Sequence, residues 1–291
     1  MNDFNGTITL PPRPKFLLAA ILFVVTVCTT VTAGALYQGA NVFANPAELL
    51  SGIPFSFSLL LILGTHEMGH YLASRSHGVA TTLPMFIPGP PLPPMIGTFG
   101  AIIKIKSPIT SRGALVDIGA AGPLSGFAVS LFVTFAGLRL STIMPKYVES
   151  PNLGLGSSLI FKFLSFITVG PIPPGLDLFL HPIAFAGWIG MFITAMNLLP
   201  IGQLDGGHLI YALIGPRHRI FSAAMVACLI ILGIFTWPGW FLWAALISFM
   251  GLAHPPVHDQ HIPMDRRRKI ICAATIIVFI LTFTPTPFYS V

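Results

Sequence analysis

The sequence predicts an all-α polytopic membrane protein with about seven transmembrane helices, and three observations carry that prediction. Of 291 residues, 54% are hydrophobic and only 8% charged. The mean hydropathy is +0.83, more apolar surface than a water-soluble globule can bury. The apolar residues fall in long runs, and the basic residues fall between the runs. The net charge of +6 therefore reports topology and not a nucleic-acid partner. The partner implied by composition is the lipid bilayer. Cys28, Cys228 and Cys272 lie inside apolar segments with no C-x-x-C spacing, and read as core residues.

In chain order, a polar lead over 1–15 precedes an apolar run over 16–37. The run has no small-residue cleavage site, which predicts an uncleaved first helix. At 1.5 Å per residue it crosses a hydrocarbon core of about 30 Å. A linker over 38–52, without Lys or Arg, leads to a second helix over 53–74. Residues 84–94 contain six prolines, which exclude regular helix or central strand. Ile103 and Ile105 then alternate with Lys104 and Lys106, predicting a short, exposed, membrane-associated strand over 98–106. A third helix over 113–140 contains G-A-A-G-P-L-S-G at 119–126, small residues that let helix backbones approach closely. The apolar stretch 159–168, interrupted by Lys162, is too short to cross and predicts an amphipathic interfacial helix. Further spans are expected over 182–199, about 220–235, 240–252 and 270–283. The chain divides into an N-terminal tail, first helix and linker (1–52), a core (53–215) and C-terminal helices (216–291).

Charge orients these spans. With the N-terminus inside, Arg13, Lys15, Arg75, Lys104, Lys106, Arg112, Arg217, Arg219 and the four basic residues 266–269 share the cytoplasmic side. Only Arg139, Lys146 and Lys162 lie opposite. The second and fourth spans then both run inward, which brings the polar residues near their ends to one depth, toward the cytoplasm.

His66 and His70 are four residues apart on the second helix, so both imidazoles project from one face and reach a single metal ion. Glu67, rotated by about 100° from His66, stands beside that ion without ligating it and can take a proton from water. This H-E-x-x-H pattern is the signature of zinc metallopeptidases, and titratable groups placed in hydrocarbon mark a functional site. A catalytic zinc takes three protein ligands and leaves a position open. Asp205 is the candidate third ligand, because the break at Pro200 and Gly202 and the two glycines that follow let the backbone turn a carboxylate into a cavity. Asn197, a turn or two earlier, either donates a hydrogen bond to a peptide carbonyl or developing oxyanion, or packs between helices. Asp117 is placed to pair with Arg112. His77, His181 and His208 read as interfacial, and His254, His258 and His261 as solvated.

These motifs resemble the site-2 protease family of intramembrane metallopeptidases, which couple an H-E-x-x-H helix to a later L-D-G motif. Here the two are His66-Glu67-Met68-Gly69-His70 and the run from Asn197 through Leu204-Asp205-Gly206-Gly207. The likeness continues in G-T-F-G-A at 97–101, A-G-P-L-S-G at 121–126, H-P-P at 254–256 and F-T-P-T-P at 283–287. These resemble the branch containing chloroplast EGY-type proteases and their bacterial relatives, without a PDZ insertion. The resemblance implies a three-helix core around one Zn2+ per chain, with His66, His70 and Asp205 as ligands and Glu67 as catalytic base. It also implies cleavage of the transmembrane segments of other membrane proteins, in a bacterial-type plasma membrane or a plastid membrane. A metal transporter or a proteolytically inactive metal-binding scaffold would share the ligands. Neither needs a base beside the first histidine, and the ligands form one cluster at one depth.

Overall fold

The computed structural model describes residues 16–145, 153–257, 259 and 262–290. It is predominantly helical, with α1 (Phe16–Tyr37), α2 (Ile53–Ser76), α3 (Arg112–Leu138), α4 (Leu159–Thr168), α5 (Pro182–Asn197), α6 (Asp205–Ile214), α7 (His218–Phe235), α8 (Gly239–Met250) and α9 (Arg266–Thr282). Among the described residues four stretches are long and apolar enough to cross a membrane: Phe16–Tyr37, Pro46–Ser76, Arg112–Leu138 and Asp205–Phe235. The last comprises α6 and α7, separated where Gly215 takes φ +62°, a left-handed conformation that ends a helix.

Local chemistry starts several helices. Ser111, Ser158 and Asp265 accept hydrogen bonds from the first-turn amides of α3, α4 and α9, satisfying donors a helix leaves unpaired. The interior is a bundle of α2, α3 and α5, joined by the buried side chains of Phe55, Leu59, Leu63, Leu138, Trp188 and Met191. α3 and α5 approach backbone to backbone: a Cβ on Gly137 would lie 2.1 Å from the Ala184 nitrogen. α6 packs on α3 through Leu209, Tyr211 and Ala212 against Leu115, Val116 and Ala120, and Cys272 and Val278 of α9 join the same cluster.

Among the described residues, six short strands form three two-stranded antiparallel sheets. β1 (Met85–Pro88) pairs with β2 (Thr98–Ile102), Met85 opposite Ile102. β1 lies within the proline-rich segment, which excludes a central strand but not a two-stranded edge. The expected strand over 98–106 is thus one arm of a hairpin. Past β2 the ladder continues irregularly, with Thr82 N–H donating to Lys104 C=O (2.9 Å) and Lys106 N–H to Ala80 C=O (2.7 Å). Ile105 is 37% exposed, so its alternation with Lys104 and Lys106 does not bury it. β3 (Thr142–Pro145) pairs with β5 (Leu176–Phe179), and β4 (Leu153–Leu155) with β6 (Phe288–Ser290). α4 occupies the expected residues, buries Phe161 and Leu164, and exposes Leu159, Phe163, Phe166 and Ile167.

The end of the bundle that carries most of the basic residues is tied by a polar latch. Asp117 Oδ2 accepts from Arg268 Nη2 (2.7 Å) and lies 2.9 Å from His77 Nε2. Asp117 does not pair with Arg112 as expected, because five residues along a helix is a rotation of about 140° that puts the two on different faces. Arg112 instead donates to the carbonyls of Ala212 (2.8 Å) and Ile262 (3.0 Å), and its backbone N–H to Asp259 (2.6 Å). Asp117 therefore adds a polar tie between α9, α3 and the end of α2 to the apolar packing of Cys272 and Val278. Asp117→Asn should destabilise the fold by about 1–2 kcal/mol, a figure reduced by the partial exposure of the group. It would be read as a lower thermal midpoint in detergent, and an unchanged midpoint would show that the latch carries no stability.

Candidate active site

His66, Glu67 and His70 are all buried on α2, exposed by only 4%, 8% and 7%. The helix presents His66 and His70 on one face, and α3 forms the wall they rest on. A Cβ on Gly122 would lie 2.1 Å from His70 Nε2, and one on Gly126 would lie 3.1 Å from the His66 ring. Those glycines leave the space the imidazoles occupy. His70 Nδ1–H donates to the Ile118 carbonyl of α3 (2.7 Å), since a carbonyl only accepts. This fixes the tautomer and leaves His70 Nε2 with a bare lone pair.

Asp205 comes to the same place from the other side. Rather than lying in a glycine turn, it occupies the first turn of α6, where a carboxylate is favoured by the helix dipole. The two glycines after it serve close approach: Cβ atoms there would lie 2.0 Å from the Leu198 carbonyl oxygen and 2.4 Å from that of Gly202. The turn itself falls at Gly202, with φ +54°. Asp205 Oδ2 is 3.3 Å from His66 Nε2, Asp205 Oδ1 is 3.3 Å from His70 Nε2, and the two Nε2 atoms are 3.1 Å apart.

Three ligand atoms thus converge, and His66, His70 and Asp205 form the one such metal-capable group among the described residues. The donor set tests whether a metal fits. His70 Nε2 and the carboxylate oxygens are acceptors facing one another, an arrangement that neutral histidines leave repulsive and a cation makes favourable. Two ligands about 2.0 Å from a tetrahedral zinc stand about 3.3 Å apart; the two imidazole nitrogens (3.1 Å) and each nitrogen with its nearer Asp205 oxygen (3.3 Å) are spaced on that scale, and one atom from each residue lies within 4.8 Å of the others. The residues fit one zinc ion.

Asn197, at the end of α5, places Nδ2 3.3 Å from His66 Nε2, so its side chain reaches the site. Glu67 stands beside the cluster, and the backbone of Ile103, the residue after β2, lies near its carboxylate. A profile of peptidase family M50 matches residues 54–237, which include the histidine pair, Asn197 and Asp205. The chain belongs to peptidase family M50. Among named relatives it is similar to "Probable zinc metalloprotease EGY1, chloroplastic" of Arabidopsis thaliana, 29% identical over 295 residues, covering 93% of this chain and 53% of that relative. It is also similar to "Probable zinc metalloprotease EGY2, chloroplastic" of Oryza sativa subsp. indica, 30% identical over 300 residues, covering 96% and 52%. This M50 chain spans about half the length of these curated relatives. No solved structure matches it.

The remaining histidines divide. His181 caps α5 and His77 joins Asp117, both near helix ends as expected. His254 is not solvated: its Nε2 lies 2.7 Å from His208 Nδ1. His258 and His261 lie outside the described residues. Sequence reasoning missed the α3 wall, because small residues at 122 and 126 carry the same signal whether they meet a backbone or an imidazole. A Gly122→Ala variant should weaken zinc binding at least about tenfold, the lower end for disturbing the surroundings of a ligand, measured by chelator competition. Retention of zinc at parental affinity would show that α3 does not shape the site.

Proposed function

We propose that the protein is a zinc-dependent endopeptidase that hydrolyses peptide bonds within or near the transmembrane segments of other membrane proteins. The observation that carries this reading is the buried convergence of His66, His70 and Asp205 with Glu67 beside it, inside helices of membrane-crossing length. The M50 family and the metalloprotease names of the relatives support it. The catalytic unit is 53–215, with 1–52 and 216–291 as flanking helices.

In this reading His66, His70 and Asp205 hold the zinc. When bound, the ion supplies Lewis acidity that activates water and polarises the scissile carbonyl. Glu67 accepts the water's proton and delivers it to the leaving amine, while burial keeps other bases away. The Asn197 side-chain amide donates to the developing oxyanion. A helical substrate has its amides paired internally and must unwind before attack. The edge of β2 not used by β1 offers a main-chain template for the unwound strand, and it leads at Ile103 to Glu67.

The short helices complete the topology as crossings: α5 and α9 reach about 24–26 Å, and α8, of 12 residues, folds back on α7. With α1, α2, α3 and α7 they make seven. The N-terminus, 75–112, 200–219 and 254–269 face the cytoplasm, which places the site toward that side of a bacterial-type plasma membrane. A plastid membrane, as in the relatives named chloroplastic, is the alternative. Single cysteines in a variant lacking Cys28, Cys228 and Cys272 should be labelled from the cytoplasmic side at 78 and not at 45; labelling of 45 from that side would reverse the orientation.

Glu67→Gln tests the chemistry. Glutamine preserves shape but takes no proton at neutral pH, so the variant should keep about one zinc per chain. It should lose cleavage of single-span substrates by at least about 10²-fold. His66→Ala, His70→Ala and Asp205→Ala should lose metal and activity together. A Glu67→Gln protein that cleaves at the parental rate would overturn the peptidase mechanism, and zinc flux through it in liposomes would replace the enzyme with a transporter.

A further inference from the structure

The segment after α8 crosses back over the bundle and contacts the helix that carries Asp205. His254 donates Nδ1–H to the Pro255 carbonyl (2.6 Å), because the carbonyl can only accept. Its Nε2 is then the acceptor for His208 Nδ1–H of α6 at 2.7 Å. Burial holds the His254 imidazole below its ordinary value, against the opposing pull of the Pro255 carbonyl. The neutral ring is the form that accepts. The same ring stacks on Tyr211 of α6, centroids 4.2 Å apart and planes within 17°.

Three further contacts belong to this segment, and α7 adds one to the same turn. Gly251 C=O lies against Gly202, where a Cβ would come within 2.4 Å, and Gly202 N–H donates to Ser222 Oγ of α7 (3.2 Å). The turn before Asp205 is thus braced from two sides. Val257 is buried in the cluster that joins α6 to α3, and Asp259 accepts from the α3 backbone at Arg112. α6 meets α3 where Gly119 lies against His208 and the Asp205 carbonyl.

We propose that His254 is a positioning residue for the metal centre: acting through His208 and Tyr211, it presses α6 onto α3 and so sets Asp205 relative to the two histidines of α2. Two histidines come from one rigid helix, whereas the carboxylate arrives on a ten-residue helix that follows a turn. That helix needs an external brace to hold a ligand within tenths of an ångström. The strap over 251–257, with Asp259, supplies it from outside the 53–215 unit. This inference rests on the zinc reading above.

The test separates hydrogen bond from packing. His254→Phe keeps a ring to stack on Tyr211 but removes the acceptor, and His254→Gln keeps an acceptor near the position of Nε2 but removes the ring. Zinc affinity by chelator competition, the visible spectrum of the cobalt-substituted protein and the thermal midpoint are measured together. His254→Phe should weaken zinc about tenfold and alter the cobalt spectrum with little change in midpoint, while His254→Gln stays within about threefold of the parent. His208→Phe removes the donor from the other side and decides the case if His254→Phe does not fold. Parental zinc affinity and cobalt spectrum in the phenylalanine variant would overturn the proposal, as would equal losses in both His254 variants that track the midpoint. A parent protein that binds no zinc would instead overturn the zinc reading itself.

Discussion

His66 Nε2, His70 Nε2 and the Asp205 carboxylate lie within 3.3 Å of one another in the interior of an apolar bundle. Lone pairs brought together in such surroundings repel and have lost their water. The arrangement persists only if the surrounding helices hold it and a cation offsets it. Much of the structure nearby answers that demand. α3 leaves room for the rings at Gly122 and Gly126 and ties His70 through the Ile118 carbonyl. α6 puts the positive end of its dipole under the carboxylate.

Holding three helices that closely requires small residues where backbones meet, and this explains glycines that do not serve turns. Gly69 of α2 lies against the Ala121 carbonyl and Ser125 of α3, and Gly137 of α3 against Ala184 of α5. In hydrocarbon such contacts substitute for the solvent-driven attraction that packs helices in water. A larger residue at any of them would move a helix, and α2 cannot move without moving two of the three ligand atoms. The site is in this sense a property of the helix interfaces and not of the five-residue motif alone.

The long apolar helices and the shared face of His66 and His70 were legible in the sequence because both follow from short-range rules. Bilayer thickness sets the run length of α1, α2 and α3, and the four-residue spacing sets the shared face of His66 and His70. The features that escaped are those decided by what lies across an interface. α6 was hidden by the two glycines of Asp205-Gly206-Gly207, which read as a turn until the Leu198 and Gly202 carbonyls are seen against them. β1 was hidden by prolines that forbid a central strand but permit an edge. Asp117 was assigned to the wrong cation because proximity in sequence was allowed to outweigh rotation along the helix, and its partner, Arg268, is 151 residues away. His254 looked solvated since nothing local announces Tyr211 or His208 as its neighbours.

Glu67 stands where the rigid and the adaptable parts of the molecule meet. On one side is the helix that fixes the histidines. On the other is Ile103, the residue after β2, whose backbone lies near the Glu67 carboxylate. A base held only by its own helix would keep the same orientation whether or not a peptide was present. A base that also neighbours a strand end has beside it the backbone that, in the proposed reaction, lies next to the substrate. Strand pairing along β2 would then do two things with one element: it would supply amides to a chain that has lost its helical hydrogen bonds, and it would steady the group that takes the proton. The hairpin's position beside α1, with Thr29 Oγ1 donating to the Gly97 carbonyl (2.6 Å) and Phe23 edge-on to Phe86 at 5.1 Å, keeps that element at the wall of the bundle. There it borders both the site and the apolar face from which a transmembrane segment would arrive.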